Sequence, residues 1–466
     1  LNGPLRAGVR ERYDVVVAGG GNAGICAAIA AAETGASVLL VESAAIELRG
    51  GNSKYTRNVR FASDTYSEAR MLEDLITVTG EDIDLALARF TIAGSRSVPL
   101  WMNAHGMLWQ AALRGTLHMG GTNHFFLGGG KALLNTYYRF AERLDIEILY
   151  ETSVVELEAT GNVFRGAILA RANQTMFVAA GAFVAAAGGY EANREWLRRE
   201  WGDAVDEFRI RGARTNDGRL LRALLELGAE RRGNPRGFHA IAVDARSPEY
   251  DGGIATRVDS LPLGIVVNRA GRRFYDEGED LWTKRYAIWG RLIAEQENQT
   301  AFSIFDSRVR GRFVPPCYPP HGAQTVEALA AKLGLESSAL CETVSEYNAH
   351  LNGAPYDAGK RDGCGTVGLV PPKTNWALPI DRPPFYAYEL RPGITFTYLG
   401  VAVDERARVL RAGDGARLNG IYAAGEIMAG NMLTKGYLGG FGMTIGTLFG
   451  SIAGKEAAQY AGSRSR

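Results

Sequence analysis

Val15-Val16-Val17-Ala18-Gly19-Gly20-Gly21-Asn22-Ala23-Gly24, then an alanine-rich run, then Ser37-Val38-Leu39-Leu40-Val41-Glu42, is the stretch that decides the fold. Three consecutive valines read as a parallel strand buried on both faces. Gly19, Gly21 and Gly24 fall at the three glycine positions of a dinucleotide fingerprint. The first allows a tight turn, the second lets the backbone approach a pyrophosphate, and the third brings a helix over Ile25–Thr34 close to the sheet. That helix N-terminus offers free N–H groups and a favourable dipole to phosphates. Glu42 ends the second strand, eighteen residues beyond Gly24, where a carboxylate accepts both hydroxyls of an adenosine ribose. Strand, glycines, helix, strand and acid in this order indicate a dinucleotide site.

A chain of 466 residues predicts two or three domains. Lys plus Arg total 52 against 51 for Asp plus Glu, so the formal charge of +1 gives no general attraction to nucleic acid or an anionic membrane. The 58 glycines fall in clusters, which indicates close backbone approaches rather than a fibrous repeat. Cys26, Cys317, Cys341 and Cys364 make neither a metal spacing nor a dense disulfide framework. No run reaches transmembrane length and the first residues lack a signal-peptide core, so a reducing cytoplasm is expected.

Further along, 81–115 is expected to be helical, and Ala132–Arg143 is expected to be a helix after Gly128-Gly129-Gly130-Lys131. Val154–Glu158, Phe164–Ala170 and Gln174–Val178 alternate as a small antiparallel meander. Gly181–Ala187 is almost wholly apolar and reads as a separate central strand ending in Gly188-Gly189. Between residues 235 and 375 the texture changes. Prolines accumulate, and Pro315-Pro316-Cys317-Tyr318-Pro319-Pro320 excludes a central strand or helix there. The expected division is a first part of a dinucleotide domain over 1–235, a capping domain over 236–375, and the resumed first domain over 376–466, ending in a helix over Thr444–Ala458.

With these elements in place, nearly the full chain resembles the flavoprotein subunits of the fumarate reductase and succinate dehydrogenase superfamily. Within it the chain is most similar to the soluble tricarballylate dehydrogenase branch. The matching segments are Gly19–Gly24, Arg49-Gly50-Gly51-Asn52-Ser53, Gly128–Leu133 and Val243-Asp244-Ala245-Arg246. They continue with Asn268–Phe274, Asp276-Glu277-Gly278, Tyr422-Ala423-Ala424-Gly425-Glu426 and Gly439-Gly440-Phe441-Gly442. The resemblance implies FAD, an α/β Rossmann-like FAD-binding domain with an inserted α+β substrate-capping domain, and a substrate held between cap and isoalloxazine. It also implies interconversion of a carbon–carbon single and double bond beside a carboxylate.

Gly19, Gly21, Asn22, Ala23, Gly24, Glu42 and Ser43 are expected to take the ADP half of FAD, with Val154 at the adenine. Arg49, Gly50, Gly51, Asn52 and Ser53 are expected to fold back beside the diphosphate and ring, and Gly129 and Gly130 come from a matched segment. Ala187 and Gly188 end the central strand, and Gly425 and Glu426 end the strand presenting the ribityl chain. Gly440, Phe441, Gly442 and Met443 open a helix whose dipole points at the flavin, stabilising charge on its reduced form. Only one dinucleotide fingerprint is present, so a quinone, carrier protein or partner flavoenzyme is the expected electron partner rather than NADPH. No histidyl attachment motif is evident in the matched regions, so the FAD is expected to be noncovalent.

Interconverting alkane and alkene requires a hydride exchange with the flavin and a proton exchange with a side chain, beside fixed positive charge for the carboxylates. The resemblance places a proton-transfer arginine after the Arg273–Glu277 motif. Arg285 is the first candidate, while Lys284 or Tyr286 can occupy the matching space. Where fumarate reductases carry a histidine, this chain has Thr397-Tyr398; where they carry a carboxylate-binding arginine, it has Lys435 and Tyr437. A lysine there lacks the bidentate fork. His239 resembles a cap histidine near the substrate, and its ordinary pKa suits acid–base work. His118 and His124 flank Met119–Asn123 and are candidates to line the pocket, and Arg246 is a candidate carboxylate binder. No ligand cluster supports a metal.

Tricarballylate-like dehydrogenation is therefore the leading expectation. The loss of charge near Tyr398 and Tyr437 favours an ene reductase or dehydrogenase for a bulkier enone or ring substrate. A non-catalytic FAD-binding protein is the third reading, because the departures fall at catalytic positions.

Overall fold

The computed structural model describes residues 9–111 and 122–464. Its larger sheet is built on the opening valines. The strand Arg12–Ala18 pairs in parallel with Val38–Val41 on one side and with Gln174–Ala185 on the other. Glu147–Leu149 extends the sheet beyond Val38–Val41, and Arg417–Ala423 joins the far side in parallel beside Phe183–Ala185. Ala18, Val41, Ala185 and Ala423 thus end along one edge, the edge at which open parallel sheets bind ligands.

The first two strands of the expected meander are Ser153–Thr160 and Val163–Arg171, while its third strand and the expected central strand are one element. Gln174–Ala185 pairs antiparallel with Val163–Arg171 through its first half, and its second half enters the parallel sheet. Alternating burial over Gln174–Ala179 gives way to continuous burial from Ala180, which is why the sequence read as two strands. The C-terminal helix is longer than expected, running over Phe441–Arg464, and it packs on the helix Asn22–Ala32. The region read as helical over 81–115 holds Leu85–Gly94 and Val98–Ala104; residues 112–115 lie outside the described residues, and the helix Glu68–Thr79 was not expected.

Gly24 shows what holds the first turn together. A Cβ added there would stand 1.7 Å from the Gly19 carbonyl oxygen, and Gly19 itself has φ +104°. The obstacle is backbone, so it cannot swing aside. Gly24→Ala is expected to lower stability by about 3 kcal/mol, at the upper end of overpacking costs. Chemical denaturation of the FAD-free protein measures this.

The second sheet carries the cap. Phe238–Asp244, Phe385–Thr397, Ala301–Asp306 and Ile265–Val267 lie in that order, with His321–Ala323 and Arg209–Ile210 at its margins. It therefore reaches back to residue 209 and forward to Thr397, beyond the expected limits of 236 and 375. Proline-rich texture marked the loops of this region, not the strands that close its sheet. Ile265 and Val267 join one apolar cluster and Val266 the opposite one, the period of two of a sheet covered on both faces.

Register in this sheet builds the site. His239 pairs with Phe396 and Ala240 with Ile394, leaving Thr395 as the extra residue of a β-bulge. Bulges re-aim side chains. Arg209–Ile210 runs parallel to Gly393–Ile394, so the next residue, Arg211, arrives beside Thr395.

Candidate active site

A cleft of about 1510 Å³, including its open mouth, runs along the carboxyl edge of the larger sheet and under the cap. At one end it is lined by the fingerprint turn. Helix Asn22–Ala32 begins at Gly21 with no side-chain cap of its own. The Asn22 N–H donates to the Ser53 hydroxyl at 3.0 Å, and the end of the helix opens on the cleft at Asn22 and Ala23, where it can receive an anion. Glu42 is buried, and its carboxylate accepts from the N–H groups of Ala44 at 2.8 Å, Gly20 at 3.1 Å and Gly50 at 3.3 Å. Burial pushes its pKa up, and these backbone donors oppose that shift. A helix N-terminus free of its own cap, beside a buried carboxylate, fits a diphosphate and a ribose, the two ends of an adenosine unit.

Of the residues expected at the cofactor, Gly19, Gly21, Asn22, Ala23, Glu42, Ser43, Gly51, Asn52, Ser53 and Val154 line the cleft. So do Ala187, Gly188, Gly425, Glu426, Gly440, Gly442 and Met443. The others stand behind this wall. Gly24 packs on the turn, and Phe441 is buried in the core. Arg49 lies 4.0 Å above the Tyr138 ring and donates to the Tyr150 hydroxyl at 2.7 Å, so its guanidinium is held against aromatic rings. Gly50 contributes its N–H to Glu42. Gly129 and Gly130 support the 51–55 turn, since a Cβ on Gly130 would meet the Ser53 carbonyl at 2.0 Å.

Asn52 ties the two sheets together. Its amide donates to Glu191, to the Thr395 carbonyl and to Glu426, while its oxygen accepts from the Ala213 N–H. Glu191 and Glu426 are both buried. Burial, and then the neighbouring Glu191, push the Glu426 pKa far up.

At the other end the expected cations are replaced. Arg285 does not line the cleft: its guanidinium pairs with Glu279 at 3.0 Å. Lys284 bridges Asp74 at 3.2 Å and Asp280 at 2.9 Å. Tyr286 is the neighbour that faces the cleft. Trp282–Arg285 is one helical turn, and successive side chains on it point about 100° apart. Lys435 is exposed, with its ammonium at the Gly80 turn, and so does not meet a ligand in the cleft. Tyr398 is buried and donates to the Gly436 carbonyl at 2.8 Å, a structural contact outside the cleft. Tyr437 does line the cleft; its oxygen accepts from the Gly442 N–H at 3.0 Å, and its ring stands 4.4 Å from that of His239. Arg246 is engaged by Asp244 at 2.6 Å. His124 stacks on Phe61, and His118 with Met119–Gly121 lies outside the described residues. Lys435→Ala and Arg285→Gln are each expected to leave kcat/KM within about fivefold of the parent, because neither side chain lines the cleft and an exposed charge contributes at most about 1 kcal/mol. Steady-state assays on folded variants check this.

The positive charge comes instead from Arg57, Arg211 and Arg257, all lining the cleft. None of them was expected from the sequence. Arg257 pairs with Asp259 at 2.5 Å, and Arg57 reaches the same carboxylate at 3.5 Å. Burial pushes Asp259 up, but Arg257 and Arg57 outweigh it and hold the carboxyl below its usual range. Arg211 has no acidic partner among the described residues. Its Nη2 donates to the Thr395 hydroxyl at 2.6 Å, while Nε and Nη1 are buried without a partner. Burial and then Arg257 pull its pKa down to about 10, so it stays charged at neutral pH. The available signal was an arginine set in a short apolar segment, Ile210-Arg211-Gly212 or Thr256-Arg257-Val258.

His239 completes the group, with Nδ1 2.9 Å from the Thr395 hydroxyl and Nε2 3.1 Å from the Tyr286 hydroxyl. Burial, then Arg211 and Arg257, drive its pKa well below the usual value, so the ring is neutral. Burial raises the Tyr286 phenol, with Arg257 first among the guanidiniums opposing it. The Arg257 guanidinium lies 4.3 Å from that ring. Among the described residues no cluster of three or more His, Cys, Asp or Glu side chains is placed to hold a metal. No helix among them is long and apolar enough to cross a membrane.

Residues 14–442 match the family described as FAD binding domain. The chain is 28% identical to a vinyl phenol reductase of Lactiplantibacillus plantarum, over 98% of each chain. It is 27% identical to a fumarate reductase (cytochrome) of Shewanella frigidimarina, covering 98% of this chain and 79% of that protein. The open conformation of a flavocytochrome c3 fumarate reductase superposes with a TM-score of 0.76 at 25% identity, over 98% of this chain and 80% of the other.

Proposed function

Since this chain belongs to the FAD binding domain family and is an FAD-dependent dehydrogenase or reductase acting on CH–CH groups, we propose that it interconverts a small polycarboxylate of the tricarballylate type and its alkene. The observation that carries this is the charge of the cleft. Arg257 and Arg57 share one carboxylate, Asp259, whereas Arg211 has no acidic partner among the described residues and two of its nitrogens are buried with no partner. Buried charge of that kind calls for an anionic ligand.

Bound FAD supplies the hydride donor or acceptor, and its place is noncovalent, along the cleft from Glu42 to the helix opening at Phe441. Arg211, Arg257 and Arg57 hold the carboxylates and stabilise the charge that develops at the carbon beside one of them. Tyr286 Oη exchanges the proton at that carbon. Arg257 stabilises its phenolate, and neutral His239 holds the oxygen in place. Phe396, Tyr437 and Met443 narrow the cleft against water. A quinone or electron-carrier protein completes the cycle.

One observation favours a second reading, a neutral ring or enone substrate. Phe396, Tyr437 and Tyr286 give the same end an aromatic wall, and a relative of this chain is named for a vinyl phenol. Anaerobic mixing of the oxidised enzyme with tricarballylate, and of the reduced enzyme with fumarate and a panel of enones, separates the two. Flavin bleaching by tricarballylate is the expected result. If tricarballylate neither binds nor bleaches the flavin while an enone reoxidises it, the polycarboxylate reading is wrong.

A further inference from the structure

We propose that Thr395 is a positioning residue that fixes which nitrogen of His239 carries the proton, and so aims the Tyr286 hydroxyl proton into the cleft. The argument starts from a group that can only donate. Arg211 has no acceptor, and its Nη2 lies 2.6 Å from Thr395 Oγ1. The Thr395 oxygen therefore accepts, and its single proton is free to go to His239 Nδ1 at 2.9 Å. Nδ1 is then bare, and the neutral ring carries its proton on Nε2. That N–H donates to Tyr286 Oη at 3.1 Å.

The Tyr286 proton, released from the histidine, has no other acceptor among the described residues, and Tyr286 lines the cleft. The opposite tautomer would make Thr395 accept twice, from a guanidinium and from a ring N–H. It would also turn the Tyr286 proton back onto His239. The head-to-tail order Arg211, Thr395, His239, Tyr286 lets each bond polarise the next, an advantage lost when the direction reverses midway. The neutral state this requires agrees with the burial of His239 between Arg211 and Arg257.

Local backbone geometry supports the same assignment. Thr395 is the extra residue of the bulge between the His239–Phe396 and Ala240–Ile394 pairs. In an unbroken ladder its side chain would follow the alternation of its neighbours; the bulge turns it toward His239 and Arg211. Three elements distant in sequence meet at one hydroxyl.

The inference rests on the assignment of Tyr286 as the proton-transfer group. It is tested by the side-chain 15N shifts of histidine-labelled, FAD-loaded enzyme, with the His239 signals identified by their loss in His239→Gln. The expected wild-type state is Nε2–H with Nδ1 bare. Thr395→Val is expected to mix the tautomers and lower kcat at least about tenfold, the scale for losing an orienting partner, with KM little changed. Thr395→Ser is expected to restore both. An Nδ1–H or doubly protonated ring in the wild type, an unchanged tautomer in Thr395→Val, or no rescue by serine would each overturn the proposal. If the valine variant does not fold, the wild-type spectrum decides alone. The spectrum is read without turnover, so an active Tyr286→Phe enzyme would remove the acid assignment and leave the ring state standing.

Discussion

Tyr286→Phe is expected to lower kcat by about 10²- to 10⁴-fold, the range for losing a positioned general acid or base. The phenol oxygen is the only atom removed. His239 keeps its bond to Thr395, and Arg257 keeps its pair with Asp259. FAD affinity and substrate KM are therefore expected to hold, because the lost interaction belongs to the transition state. The raised phenol pKa gives the reaction a direction in pH. Burial outweighs the guanidiniums, so the acid form needed to reduce an alkene persists through neutral pH. Oxidation of the alkane needs the phenolate, so its rate is expected to climb with pH from about 6 to 9, below the tyrosine pKa, while reduction stays nearly flat. Steady-state rates in both directions, with deuterium incorporation beside the carboxylate, check both statements. A loss smaller than tenfold would assign the proton to another group.

Arg211→Met is expected to act in opposite directions on activity and on stability. In the ligand-free protein two guanidinium nitrogens are buried without partners, and the nearby Arg257 adds repulsion. Replacing such a charge by an apolar side chain of similar length is expected to stabilise the free protein by about 1–4 kcal/mol. With substrate bound, the same change removes a buried carboxylate contact worth about 2–5 kcal/mol, or roughly 30- to 4,000-fold in kcat/KM. Thermal unfolding should therefore rise in the variant, and the upward shift that tricarballylate gives the parent should disappear. Reduced stability together with near-normal kcat/KM would make Arg211 a structural residue and leave the polycarboxylate reading without its main support.

The contrast between these residues and Lys435 or Arg285 explains what could be read in advance. The sequence placed the glycines of the first turn because each acts locally: Gly19 and Gly21 line the cleft, Gly24 packs on the same turn, and Glu42 ends the next strand of the same βαβ unit. Tyr437 and His239 were also reached, because each lies next to a segment with a recognisable pattern. Arg285 and Lys435 had the right charge in the right neighbourhood. One residue on a helical turn, or one step along a loop, turned them to Glu279 and to solvent.

The arginine-lined end of the cleft was not legible for a different reason. Arg211 follows a strand of two residues, Arg257 follows a short 3₁₀ turn, and Thr395 is the extra residue of a bulge. None of these carries a periodic signal. By itself the sequence determined the cofactor domain, the inserted cap and the chemistry class, since those follow from strand and helix periods and from turns that only glycine can make. The tertiary structure alone decided where positive charge lines the cleft. That charge depends on the register of Phe385–Thr397 against Phe238–Asp244 and Arg209–Ile210, pairings between residues far apart in the chain.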